Sequence, residues 1–175
     1  MSEKKLLEKT NRVLTEYLAD LDNYTLDQLQ QKPADGSWSL GQVYIHLWMS
    51  AKGFFFKNAE RCLNQEGTEQ GKLKNWKGYL VFMMGQMPAI KVKMPDSVAV
   101  QPKMPESKAY VVAKLEEIKL LSADYIARIS QSDASLKTKH PFLGWLNTAE
   151  WLALCNMHFK HHEAQKGRIR KHFGW

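Results

Sequence analysis

Apolar positions recur three and four residues apart along most of this chain, and no long stretch alternates apolar and polar. Leu6, Leu7, Val13, Leu14, Tyr17, Leu18 and Leu21 share one side of a helix over about residues 3–30, with charges on the other side. "KPADGSW" at 32–38 gathers proline, aspartate and glycine into a turn. "SLGQ" at 39–42 has the form of a capping box, in which Ser39 caps a helix start and Gln42 returns the hydrogen bond. A second helix is therefore expected over about 39–64. Val111, Val112, Leu115, Ile118, Leu121, Tyr125 and Ile129 mark a third over about 107–131. "KHPFLGW" at 139–145 is another turn cluster, and "NTAE" at 147–150 is a second capping box that opens a fourth helix over about 148–172.

Residues 65–105 break the pattern. They hold four of the six prolines and five of the eight methionines, with room for a short helix but not a long one. Four long amphipathic helices without convincing strands bury their apolar sides best as an all-α four-helix bundle. The long 65–105 connection permits a crossover between helices two and three, so that neighbouring helices can run parallel.

Length and composition sharpen this picture only in part. A chain of 175 residues suits one domain spanning 1–175, and six tryptophans and seven phenylalanines argue against disorder. No stretch approaches the roughly 20 apolar residues of a membrane span, so no membrane partner is expected. The N-terminal residues carry charges every few positions and lack the apolar core of a signal peptide. Cys62 and Cys155 sit in helical patterns and make no disulfide framework, which points to a reducing, cytoplasmic setting. The net charge of +7 comes from dispersed lysines, densest at Lys166, Arg168, Arg170 and Lys171. Without a nucleic-acid-binding motif, that run reads as a solvated helix end, and nucleic acid is not the expected partner.

The candidate chemistry lies in "CNMHFKHHEAQKGRIR" at 155–170, which holds three of the six histidines. At about 100° per residue, Trp151, Leu154, Cys155 and Ile169 set an inward side. His158, His162 and Gln165 fall near its centre, while His161 lies roughly 70° away and reads as surface. The i, i+4 spacing brings His158 and His162 close enough to share one metal ion, though two satisfied core histidines would show the same pattern. His46 sits mid-helix on a flank of the second helix with Gln42, Ser50 and Gly53, small or polar residues suited to a cavity. Asp35, Trp38, Tyr44 and Ser50 are possible rim residues. No carboxylate presents itself as a general base, and Cys155 reads as a buried, inert thiol.

"DGSWSLGQVYIHL" at 35–47 and "HPFLGWLNTAEWLALCNMHFKHHEAQKGRIR" at 140–170 resemble the DinB/YfiT-like superfamily of metal-binding four-helix bundles. The resemblance covers both halves of the chain and the helix order. It implies an up-down-down-up bundle and makes His46, His158 and His162 the metal ligands. It also implies a divalent ion, nickel or zinc foremost, and a small-molecule substrate. Some relatives use a low-molecular-weight thiol cosubstrate, so thiol S-transfer and hydrolysis are the expected reactions. The alternatives are a non-catalytic metal- or ligand-binding bundle and, suggested by charge alone, a nucleic-acid-associated stress protein. A homodimer is compatible with all of these.

Overall fold

The computed structural model describes residues 2–88 and 101–175. Four long helical rods carry the chain. The first is α1 (Glu3–Leu21), followed by the short α2 (Leu26–Gln30). The second rod is continuous but mixed: α3 (Leu40–Ser50), a π-helical turn (Ala51–Phe56) and α4 (Lys57–Leu63). After the short α5 (Trp76–Met84) comes the third rod, α6 (Lys108–Ala127). A β-hairpin of β1 (Thr138–His140) and β2 (Gly144–Leu146) then leads into the fourth, α7 (Thr148–Phe173).

Contacts between the rods fix their directions. Asn156 donates to Thr10, Tyr17 donates to the Phe159 carbonyl, and Lys166 and Arg170 reach Asp20. Residue numbers rise together, so α1 and α7 run parallel. The pairings of Trp48 with Glu117 and of Glu60 with Arg128 make the second rod parallel to α6. Tyr44, near the start of α3, donates to Asp20 at the end of α1, so those two are antiparallel. These contacts, among the described residues, give the order up-down-down-up.

Both expected capping boxes form, Ser39 with Gln42 and Asn147 with Glu150. A third, Thr25 with Gln28, starts α2 and divides the helix expected over 3–30. The 139–145 turn cluster folds as a hairpin, with 141–143 as its loop and a register that pairs Thr138 with Leu146 and His140 with Gly144. Strand structure was not expected there, because three residues per strand are too few to show an alternating pattern. Isolated bridges join Glu69 to Lys137 and Lys74 to Gly144, tying the 65–105 connection to this hairpin. Gly144 has φ +86, and a Cβ there would lie 2.5 Å from the Asn75 nitrogen, so glycine is required. Within the connection, α5 supplies the expected short helix, and residues 89–100, including Lys91 and Lys93, lie outside the described residues.

The core threads all four rods, with Leu14, Tyr17, Leu47, Ala51, Leu115, Trp151 and Leu154 essentially inaccessible. The basic run near the C-terminus is divided rather than uniformly solvated. Lys166 is 1% exposed, 2.9 Å from Asp20 and 3.0 Å from Glu163, with its ammonium 3.8 Å from the Tyr17 ring centre. Arg170 also pairs with Asp20, whereas Arg168 and Lys171 face solvent. Burial pushes the Asp20 carboxyl upward, but the hydrogen bond and charge of Lys166, helped by Tyr44 and Arg170, outweigh it and hold the carboxyl below its usual range.

Candidate metal centre

Two rods deliver three imidazoles to one place. The Ser39 cap starts α3, and two turns later the helix presents His46. α7 presents His158 and His162 one turn apart, facing α3. One ring nitrogen from each of the three lies within 4.8 Å of the others. His46 Nε2 and His158 Nε2 are 3.2 Å apart. Two nitrogens at zinc-like bond lengths around one tetrahedral centre would be about 3.3 Å apart, so this spacing fits a shared ion.

The surroundings fix orientation. His162 Nδ1 lies 2.8 Å from Gln165 Oε1. An amide oxygen only accepts, so Nδ1 carries the proton and Nε2 keeps a free lone pair, the tautomer a metal ligand needs. Ser50 Oγ is 3.4 Å from His46 Nε2. The Trp38 ring tilts against His46 at 4.7 Å between centres, and the Phe55 ring stands 5.2 Å from His158. Phe55 belongs to the π-helical turn that begins just after Ser50. Such turns inside α-helices are frequent at functional sites.

Burial keeps these rings neutral. It lowers the His46 pKa to about 3 and that of His162 to about 4, and holds His158 well below the ordinary histidine value. Neighbouring imidazoles add to the effect, since a proton on one opposes a proton on the next. Neutral imidazole is the form that binds metal. Among the described residues, no hydrogen bond of the three histidines runs to a carboxylate.

The remaining candidates separate cleanly. His161 is half-buried beside His162 and lies outside the cluster. Cys155 is buried in the core, and burial pushes its thiol pKa well up, as expected of an inert thiol. Of the rim candidates, Trp38 and Ser50 do border the cluster. Tyr44 instead turns to Asp20, and Asp35 is exposed in the 32–38 turn. His140 occupies the hairpin, where its Nδ1 accepts the backbone N–H groups of Phe142 and Leu143. Sequence reasoning missed that role, because it needs the hairpin geometry.

YfiT from Bacillus subtilis, described as a probable metal-dependent hydrolase with an unusual four-helix bundle topology, has a similar structure. The TM-score is 0.63 at 18% sequence identity, over 99% of this chain and 88% of that one. Comparison with curated proteins finds no significant match. The sequence model of the DinB superfamily matches residues 6–165, nearly the whole of the bundle, and the chain belongs to that superfamily.

Proposed function

We propose that this protein, as one domain over 1–175, binds a divalent metal ion through His46, His158 and His162 and hydrolyses a small molecule there. The observation that carries this reading is the convergence of three neutral imidazoles from two rods, with Gln165 holding His162 in the ligand tautomer. YfiT, described as a probable metal-dependent hydrolase, supports the same reaction class. A divalent ion held by three uncharged ligands supplies Lewis acidity that lowers the pKa of a water or thiol in an open position.

The chain's own residues do the rest. Trp38 and Phe55 wall the cluster and limit water, which strengthens every electrostatic interaction within it. The Ser50 hydroxyl, close to His46, is placed to hydrogen-bond a polar group of the substrate. No carboxylate bonds to the histidines among the described residues, which favours nucleophiles that need little help from a base. A thiol meets that condition better than water, and this favours a second reading, thiol S-transfer from a low-molecular-weight thiol. Both cysteines are buried and free, which suits a reducing, cytoplasmic setting.

The test is metal analysis of protein purified without a polyhistidine tag, then ester and amide hydrolysis and thiol-transfer screens with and without chelator. Nickel and zinc are the ions to compare first. About one ion per chain and chelator-sensitive hydrolysis are expected. Chelator-sensitive transfer without hydrolysis would select the second reading. Stoichiometric metal with neither activity would leave a binding protein, and no metal would overturn the proposal.

A further inference from the structure

The helix α5 carries its largest side chains on the outside. Trp76 is 71% exposed and Met83 78%, and Tyr79, Leu80 and Met84 are each 43% exposed or more. At about 100° per residue these five occupy one arc of roughly 140°. The opposite side seats Gly78 and Val81 against the protein. Leu73 and Phe142 extend the outer face, so seven of the nine large apolar side chains exposed among the described residues gather here. Apolar patches of this extent on a protein surface mark interaction sites.

The helix is firmly mounted. Asn75 caps it through Gly78 N–H and donates to the Phe142 carbonyl, and Gly78 packs so closely on the Leu143 carbonyl that a Cβ would collide. The apolar face therefore belongs to a fixed helix rather than to a frayed end.

Charge indicates the partner. The two strips that build this end, residues 70–88 and 134–147, contain five lysines and no carboxylate. Lys74 is taken by Glu150, and Lys72 meets the exposed Glu69. Lys77 is exposed over the Trp76 ring and Lys139 is exposed on β1 of the hairpin that carries Phe142, with Lys137 reaching the Lys72 carbonyl. A second copy docked face to face would bring these lysines against one another. A nucleic acid could stack on Trp76 or Tyr79, but Leu73, Leu80, Met83 and Met84 lie between and around them and offer its bases neither stacking nor hydrogen bonds. A helix with tryptophan, tyrosine, leucine and methionine outward and lysines at its margins matches a bilayer surface with anionic headgroups.

We propose that α5 docks this protein peripherally on an anionic lipid surface, lying flat with Trp76, Leu80 and Met83 in the acyl boundary and Lys72, Lys77 and Lys139 at the headgroups. The absence of a membrane span does not bear on this, since a helix lying in the interface needs none.

The experiment is co-sedimentation of the full chain with phosphatidylcholine vesicles and with vesicles that also contain phosphatidylglycerol. Binding is expected to the mixed vesicles alone and is expected to fall with added salt. Acyl chains carrying bromine should quench tryptophan emission, and Trp76→Phe should abolish most of that quenching. The variant Trp76→Ser with Met83→Ser should lose about tenfold or more in binding. Its melting temperature should hold, because both side chains face outward. Lys77→Gln and Lys139→Gln should each lose roughly fivefold. Failure to bind anionic vesicles, or equal binding by the serine variant, would overturn the proposal. So would a monomer–dimer equilibrium abolished by Met83→Glu, which would give this face to a second copy, or tighter binding of nucleic acid than of vesicles.

Discussion

Two neighbouring stretches of α7 bury polar side chains for different reasons. Around His158 and His162, three imidazoles meet with no carboxylate bonded to them among the described residues, and burial keeps them neutral. One turn further on, Lys166 is buried, and Asp20, Glu163 and two tyrosine rings surround it. The first cluster brings one ring nitrogen from each of three imidazoles within 4.8 Å of the others, a donor set of the kind that suits a cation. The second is complete already, because ammonium and carboxylate satisfy each other. Polar burial alone therefore does not mark a ligand site; the convergence of like-natured ligand atoms does.

The largest effect expected from this contrast concerns the complete cluster. Lys166→Ala removes the buried partner of Asp20, leaving that carboxylate to Arg170 and Tyr44, and should destabilise the protein by about 3 kcal/mol, the low end for breaking a buried ion pair. Chemical denaturation measures it. Metal content per folded chain should be unaffected, and a parallel loss of metal would mean that the two clusters act as one.

Next in size is the incomplete cluster. His46→Ala, His158→Ala and His162→Ala should each lose most of the metal. They should also lose the stabilisation it confers, about 2.7 kcal/mol at a hundredfold excess over the dissociation constant. His161→Ala should keep both. Metal analysis and melting temperature together decide this, and full metal retention by His46→Ala would show the triad to be wrong.

Gln165 links the site to its support. Gln165→Leu removes the acceptor that holds His162 Nδ1–H, leaving fold contacts largely intact. Metal affinity should fall about 10–100-fold. Nitrogen NMR of the metal-free protein should show His162 moving from a single tautomer to a mixture. An unchanged tautomer would assign Gln165 no orienting role.

The contrast also shows what could be read from the chain beforehand. The inward placement of His158 and His162 follows from helical spacing, and their neighbours Trp151, Leu154, Cys155 and Ile169 are buried as that spacing requires. Lys166 and His161 lie at similar angles on opposite flanks of this side. Spacing cannot tell those flanks apart. What separates them is α1, whose Tyr17 and Asp20 close over Lys166, and those partners are more than 140 residues away in the chain. The capping boxes at Ser39 and Asn147 were legible because they are local. "TLDQ" at 25–28 carries the same pattern, but a continuous run of leucines hid the break it makes. The π-helical turn in "AKGFFF" has no comparable local signature, and it places Phe55 beside His158.

The smallest effect comes from His140, which is buried like the triad but satisfied like Lys166. Its Nδ1 accepts two backbone N–H groups, at 3.1 and 3.2 Å, so the proton sits on Nε2. Burial lowers its pKa to about 4. Above about pH 6.5 the ring is neutral in both folded and unfolded chains and contributes nothing to pH dependence. As pH falls from there toward 4, the unfolded chain takes up the proton and the folded one does not. Stability is therefore lost with acid, by about 1.4 kcal/mol for each pH unit crossed per such histidine. His46 and His162 add to the same slope in metal-free protein, and bound metal should mask their share but not that of His140. His140→Asn separates the terms, because an asparagine oxygen can accept from the backbone two residues on and does not titrate in this range. Denaturation of metal-free protein at pH 7 and pH 5 should show a smaller loss for His140→Asn than for the unsubstituted chain. Equal losses would mean that the hairpin histidine takes up its proton without disturbing the turn, and that the acid sensitivity resides in the triad alone.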